Sequence, residues 1–66
     1  MNLDLRQAIL NNIHGKSAAE LKEIIQDAVG QEEQVLPGLG VLFEVIWQHS
    51  PENEQDEMVQ VLQQHI

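Results

Sequence analysis

Residues 36–47 read LPGLGVLFEVIW, twelve residues with one charge, both of the chain's aromatics and two of its four glycines. In a 66-residue chain with eleven acidic and three basic residues, so apolar a segment must be covered by something, and what covers it constrains the fold. Pro37 suits a helix's first turn, where its missing N–H costs nothing. From there Leu39, Leu42, Phe43 and Ile46 follow the i, i+3, i+4, i+7 spacing of one helix face, while Val41, Val45 and Trp47 add apolar surface outside it. A helix apolar nearly all round is one covered on more than one side. The segment is far shorter than the roughly 18 to 20 residues that span a bilayer. Met1-Asn2-Leu3-Asp4 lacks the basic and apolar regions of a signal peptide, so the expectation is a soluble, unsecreted chain without a membrane partner.

The same periodicity recurs on either side, and no strand-like alternation of useful length interrupts it. Leu5, Ile9 and Ile13 stand four apart with Ala8 beside them, Asn2 and Asp4 are candidate caps, and Gly15 supplies a left-handed residue to end the first helix. Ser17-Ala18-Ala19-Glu20 is a capping box, in which hydroxyl and carboxylate each satisfy an orphan amide. Leu21, Ile24, Ile25 and Ala28 then make one face, and Gly30 ends it. A polar link, Gln31 to Gln34, leads into the third helix. Ser50-Pro51 repeats the cap-then-proline pattern, and Glu52, Glu54, Asp56 and Glu57 put negative charge where a helix N-terminus favours it. Met58, Val59, Leu62 and Ile66 form the fourth stripe. The reading is a single all-α domain over residues 1–66, with four short helices around a hydrophobic third helix.

Charge excludes the ordinary kind of nucleic-acid binding. All three bases, Arg6, Lys16 and Lys22, lie in the first third of the chain, and residues 23–66 offset nine carboxylates with histidines alone; such a surface repels phosphate backbones. Without cysteine there is no disulfide, thiolate nucleophile or thiolate zinc ligand.

Several local patterns resemble chemical sites and fail in detail. His14, His49 and His65 each fall in the last turn of a helix, where an imidazole meets free carbonyls, and no i, i+4 pairing gathers them for zinc. The run Glu52 to Glu57 alternates oxygen ligands like a calcium loop but has Glu57 where the loop needs glycine and Gln63 where it needs a bidentate carboxylate. Pro37-Gly38-Leu39-Gly40 lacks the lysine, the flanking strand and the spacing of a phosphate loop. Each helix-interior glycine costs about 1 kcal/mol, which places Gly38 and Gly40 in a loop or first turn as much as in the helix, or where another helix or chain approaches closely. Ser17 and Ser50 read as caps rather than nucleophiles. Glu44, the lone carboxylate of the apolar segment, either faces the interior with a raised pKa or shares a solvated stripe with Gln48. No catalytic set, metal or cofactor emerges, and the chain reads as a non-enzyme.

A chain this small buries only about 60% of its unfolded surface, and apolar burial set against ordering entropy comes out near zero. With neither disulfide nor metal to help, association is the physical option left. The expectation is a helical homodimer in which Val41, Phe43, Val45 and Trp47 are covered by a second copy. The alternative is a monomer that wraps its own third helix.

The block LPGLGVLFEVIWQ, residues 36–48, closely resembles the type I small acid-soluble spore proteins of endospore-forming bacteria. Gly15, Glu20-Leu21, Asp27-Ala28, Glu32-Glu33 and the acidic stretch from Glu52 to Met58 fit the same pattern. The resemblance covers essentially the whole chain and implies a minor protein of the spore core, made in the developing forespore. It implies no catalytic or ligand residues, and it does not imply the DNA coating of the major α/β-type spore proteins, whose protease-recognition segment is also missing here. Two roles are compatible with it: a non-enzymatic protein acting through association with itself or another spore component, and a passive filler or amino-acid store of the dehydrated core.

Overall fold

The computed structural model describes residues 4–66, and these form four α-helices with no strand among them. α1 spans Leu5–Ile13, α2 Ala18–Ala28, α3 Leu36–Gln48 and α4 Glu52–Gln64. The expected start and stop residues do most of the delimiting. Asp4 caps α1 by accepting from the Gln7 amide at 3.0 Å; Asn2, the other candidate, lies outside the described residues. The capping box at α2 is complete, with the Glu20 amide donating to Ser17 Oγ and the Ser17 amide to Glu20 Oε1. Gly15 and Gly30 adopt φ of 81° and 80° just past α1 and α2, a conformation costly to any residue with a Cβ.

Two boundaries differ from the sequence expectation. The polar link does not stay irregular: Glu33–Val35 forms a 3-10 turn that runs directly into α3. The Val35 amide donates to the Glu32 carbonyl at 3.1 Å, so the turn pairs backbone groups that a side-chain cap would otherwise serve, and α3 has no such cap. Pro37 and Gly38 sit within the first turn of α3 and Gly40 just beyond it inside the helix, so neither glycine lies in a loop. A Cβ built on either glycine meets nothing within 4 Å, so no other element of this chain approaches closely there.

The second difference is at Ser50. It does not cap α4, whose N-cap position is Pro51 with no side-chain bond. Its hydroxyl turns back and donates to the Ile46 carbonyl at 2.5 Å, closing the end of α3. The reason is local competition: a serine two residues past the last helical residue can satisfy a carbonyl four residues back as readily as a following amide. Glu52 and Glu54 in the first turn of α4 then supply the negative charge that the dipole favours.

α1 and α2 both pack against α3. The α2 face expected from spacing, Leu21, Ile24, Ile25 and Ala28, is half-buried throughout. On α3 the outcome is partly inverted. Leu39 and Leu42 of the expected stripe are half-buried, but Phe43 and Ile46 of that stripe are exposed, whereas Val41, Val45 and Trp47, expected as surplus, are half-buried. The covered side of α3 is thus rotated toward Gly38, Val41 and Val45. α4 is joined to this group by the tight turn at His49–Pro51 and by one polar tie, Gln55 Nε2 donating to the Trp47 carbonyl at 2.7 Å. Its own stripe is left mostly open: Val59, Leu62 and Ile66 are exposed and Met58 is half-buried.

No described residue is buried. The chain exposes 5772 Å², well over 1,000 Å² more than the roughly 4,200 Å² usual for a compact protein of its mass. Its radius of gyration, 13.2 Å, likewise exceeds the roughly 11 Å of a compact chain of this length.

Candidate functional site

Two apolar depressions flank α3. The first, about 420 Å³, lies where a small helical protein would ordinarily have its core, between Leu5, Ile9 and Ile13 of α1, Ile24 of α2, and Leu39 and Leu42 of α3. The second, about 410 Å³, lies between α3 and α4 and is walled by Gly40, Phe43, Trp47, Val59 and Leu62, with Glu44 at its edge. Interiors pack to crystal-like density, so apolar walls standing this far apart are surfaces rather than core.

The four residues singled out on α3 are not one patch. At 100° per residue, Val41 and Val45 share one side of the helix and Phe43 and Trp47 lie roughly opposite. Phe43 and Trp47 are a tilted aromatic pair with centroids 5.8 Å apart and both wall the α3–α4 groove. Val41 and Val45 do not line it and are half-buried on the other side.

Glu44 does not face the interior with a raised pKa; it is part-exposed and paired. Arg6 of α1 donates to both its oxygens, from Nε to Oε1 at 2.5 Å and from Nη2 to Oε2 at 2.9 Å, a bidentate pairing that joins residues 38 apart in sequence. The hydrogen bond from Arg6 holds the Glu44 carboxyl below its ordinary pKa rather than above it, and the same bond raises the Arg6 guanidinium. At the α2 N-terminus, hydrogen bonds from the Ser17 backbone and side chain hold the Glu20 carboxyl below its ordinary value.

All three histidines stand at helix C-caps, and in two of them the ring meets a carbonyl of the last turn. Nδ1 of His49 lies 2.9 Å from the Val45 carbonyl and Nδ1 of His65 lies 2.7 Å from that of Val61; a carbonyl only accepts, so each Nδ1 carries the proton. His14 occupies the C-cap of α1. Among the described residues no three His, Asp or Glu side chains converge as metal ligands, and no helix is long and apolar enough to cross a membrane.

Sequence reasoning gives Arg6, Val59 and Leu62 no part in this surface. Arg6 was counted only as a charge, and no periodicity signals a partner so distant in the chain. Spacing reads Val59 and Leu62 as part of the α4 stripe without saying what covers them. The available signal was arithmetic: α4 brings an apolar stripe to a chain whose third helix already has two neighbours competing for it.

Fold and surface together define a small, acidic, all-helical protein with open apolar grooves on either side of its third helix. The chain belongs to the small, acid-soluble spore protein I family, which matches it over residues 3–66. It is 52% identical to the small, acid-soluble spore protein I of Bacillus licheniformis over 67 aligned positions, covering 100% of this chain and 96% of that one. The protein of the same name from Bacillus cereus is also 52% identical, covering 100% and 97%, and that of Bacillus subtilis is 50% identical, covering 96% and 90%. No solved structure matches the chain. This is a family of spore proteins, and of a non-enzymatic kind.

Proposed function

We propose that residues 1–66 form one helical unit of the spore core, made in the forespore, that acts without catalysis through association with a second copy of itself or with another spore component. The observation that carries this reading is the absence of any buried side chain among the described residues. A chain that orders the described residues must offset on the order of 1 to 2 kcal/mol of backbone entropy for each, and half-covered side chains recover only part of the apolar stabilisation of full burial. Contact with another macromolecule supplies the missing burial. The apolar residues of α3, Val41, Phe43, Val45 and Trp47, are the candidates for that contact.

The acidic surface supports a protein partner over a nucleic acid one, since every base lies within residues 6–22 and Arg6 is already paired. Sedimentation velocity over a micromolar concentration range, read together with Trp47 emission, tests the reading. Association with a blue-shift on concentrating supports it. A monomer at all concentrations whose Trp47 emission is already blue-shifted, and which captures nothing from a forespore lysate, overturns it in favour of a passive storage or filling role.

A further inference from the structure

We infer that the depression enclosed by α1, α2 and α3 is a binding site for an uncharged, largely apolar small molecule that carries one hydrogen-bonding group. This goes beyond the associative reading and does not depend on it, since none of Val41, Phe43, Val45 and Trp47 lines the depression. Its apolar walls stand on three sides: Ile9 and Ile13 on α1, Ile24 on α2, and Leu39 and Leu42 on α3, all half-buried. Gly38, in the first turn of α3, adds wall without a side chain, and a Cβ built there meets nothing within 4 Å. The bidentate Arg6–Glu44 pair ties α1 to α3 from outside the depression. A ligand can therefore enter without disturbing the contact that holds two of its walls.

Size, charge and polarity choose the occupant. At about 420 Å³, the depression falls within the roughly 300 to 1,000 Å³ of small-molecule sites. A three-turn helix about 10 Å across fills on the order of 1,300 Å³, so the space is too small for one. The chain carries eleven carboxylates and three bases, yet no charged side chain and no histidine lines this depression, whereas Glu44 borders the other one. An ionised group moved there would lose its water and gain no counter-charge, and an anion is repelled further by the net charge of −8. The polar side chains in the wall are the carboxamides of Asn12 and Gln34, both exposed. Each can donate and accept. A mainly apolar wall with a few such groups is the make-up of a site that binds and orients a small molecule.

The test titrates the full chain with N-phenylnaphthylamine, an uncharged fluorophore with a single N–H, and with anilinonaphthalenesulfonate, the same ring system bearing a sulfonate. Saturable binding of one N-phenylnaphthylamine per chain is expected, with the sulfonate more than about 10-fold weaker. Amide chemical-shift changes on binding should centre on Ile9, Ile24, Leu39 and Leu42 rather than on Val59 and Leu62. Gly38→Leu puts a side chain into the depression where its Cβ has room and where leucine is the better helix former, so affinity should fall by more than about 10-fold with helical circular dichroism retained. Gly40→Leu, beside the second depression, should leave affinity unchanged. Equal affinity for the two dyes, uptake that does not saturate, shifts centred on α4, or undiminished binding by Gly38→Leu overturns the assignment. If Gly38→Leu loses helicity, the shift map of the native chain decides alone. Affinity that falls as protein concentration rises means that a second copy fills the depression, which also overturns it, as does a native chain that binds neither dye. The last result leaves association to its own sedimentation test.

Discussion

Gly40 lies inside α3 and is exposed on the groove side, which makes Gly40→Ala the most informative single methyl group to add. A glycine in a helix interior costs about 1 kcal/mol relative to alanine, chiefly through backbone entropy. The added Cβ meets nothing within 4 Å, so no steric loss is set against that gain in the single chain. Between two helices 8 to 10 Å apart, flanked by Phe43, a groove of about 410 Å³ also accommodates one methyl group. Gly40→Ala is therefore expected to stabilise by about 1 kcal/mol, which for a chain of this size raises Tm by roughly 4 to 8 °C. The assay is thermal unfolding followed by circular dichroism at 222 nm, at one fixed protein concentration because any association makes Tm concentration-dependent. A Tm lowered by a similar amount would refute the reasoning: it would mean that another backbone sits against Gly40, closer than packing through side chains permits.

Other perturbations have equally definite expectations. Ser17→Ala removes the hydroxyl of the capping box and should destabilise by about 1 kcal/mol in denaturant titration, while Ser50→Ala should leave the start of α4 unaffected because Pro51 holds the N-cap position there. Gln55→Ala removes the tie to the Trp47 carbonyl at a cost of about 1 kcal/mol, and the freed α4 should red-shift Trp47 fluorescence. The Glu44 carboxyl is held below its ordinary pKa of 4.5, so the stability it contributes is present above that pH and is lost as pH falls through the lowered value. The stability difference between the native chain and Glu44→Gln should accordingly be constant above about pH 5 and shrink in acid; a difference that grew on acidification would contradict the pairing with Arg6. Added salt should tighten self-association, since two chains of net charge −8 repel less when screened.

Local signals located the helices well because their causes are local. A capping serine, a glycine at positive φ or a proline in a first turn acts within one turn of the residue that carries it, and Ser17, Gly15, Gly30 and Pro37 all act where their spacing places them. Ser50 shows the limit of such reasoning, for the same hydroxyl has two possible partners and the choice depends on how the chain leaves α3. The candidate surface was legible only in part. Its apolar character on α3 is plain in residues 36–47, but which side of α3 its neighbours cover depends on where α1 and α2 dock, and that rotation exposes Phe43 and Ile46 while half-covering Val41 and Val45. The Arg6–Glu44 pair was illegible for the same reason, because tertiary docking brings its members together across 38 residues.

The loose attachment of α4 also bears on the order of events in folding. Most of what this chain makes is made between near neighbours, and low contact order goes with fast formation, microseconds to milliseconds for helical chains. Individual helices relax in under about a microsecond. If a second copy completes the chain as proposed, the slow event is the encounter of the two, so the observed rate should scale with protein concentration. The concentration that the chain reaches would then set the pace of its assembly as well as its extent.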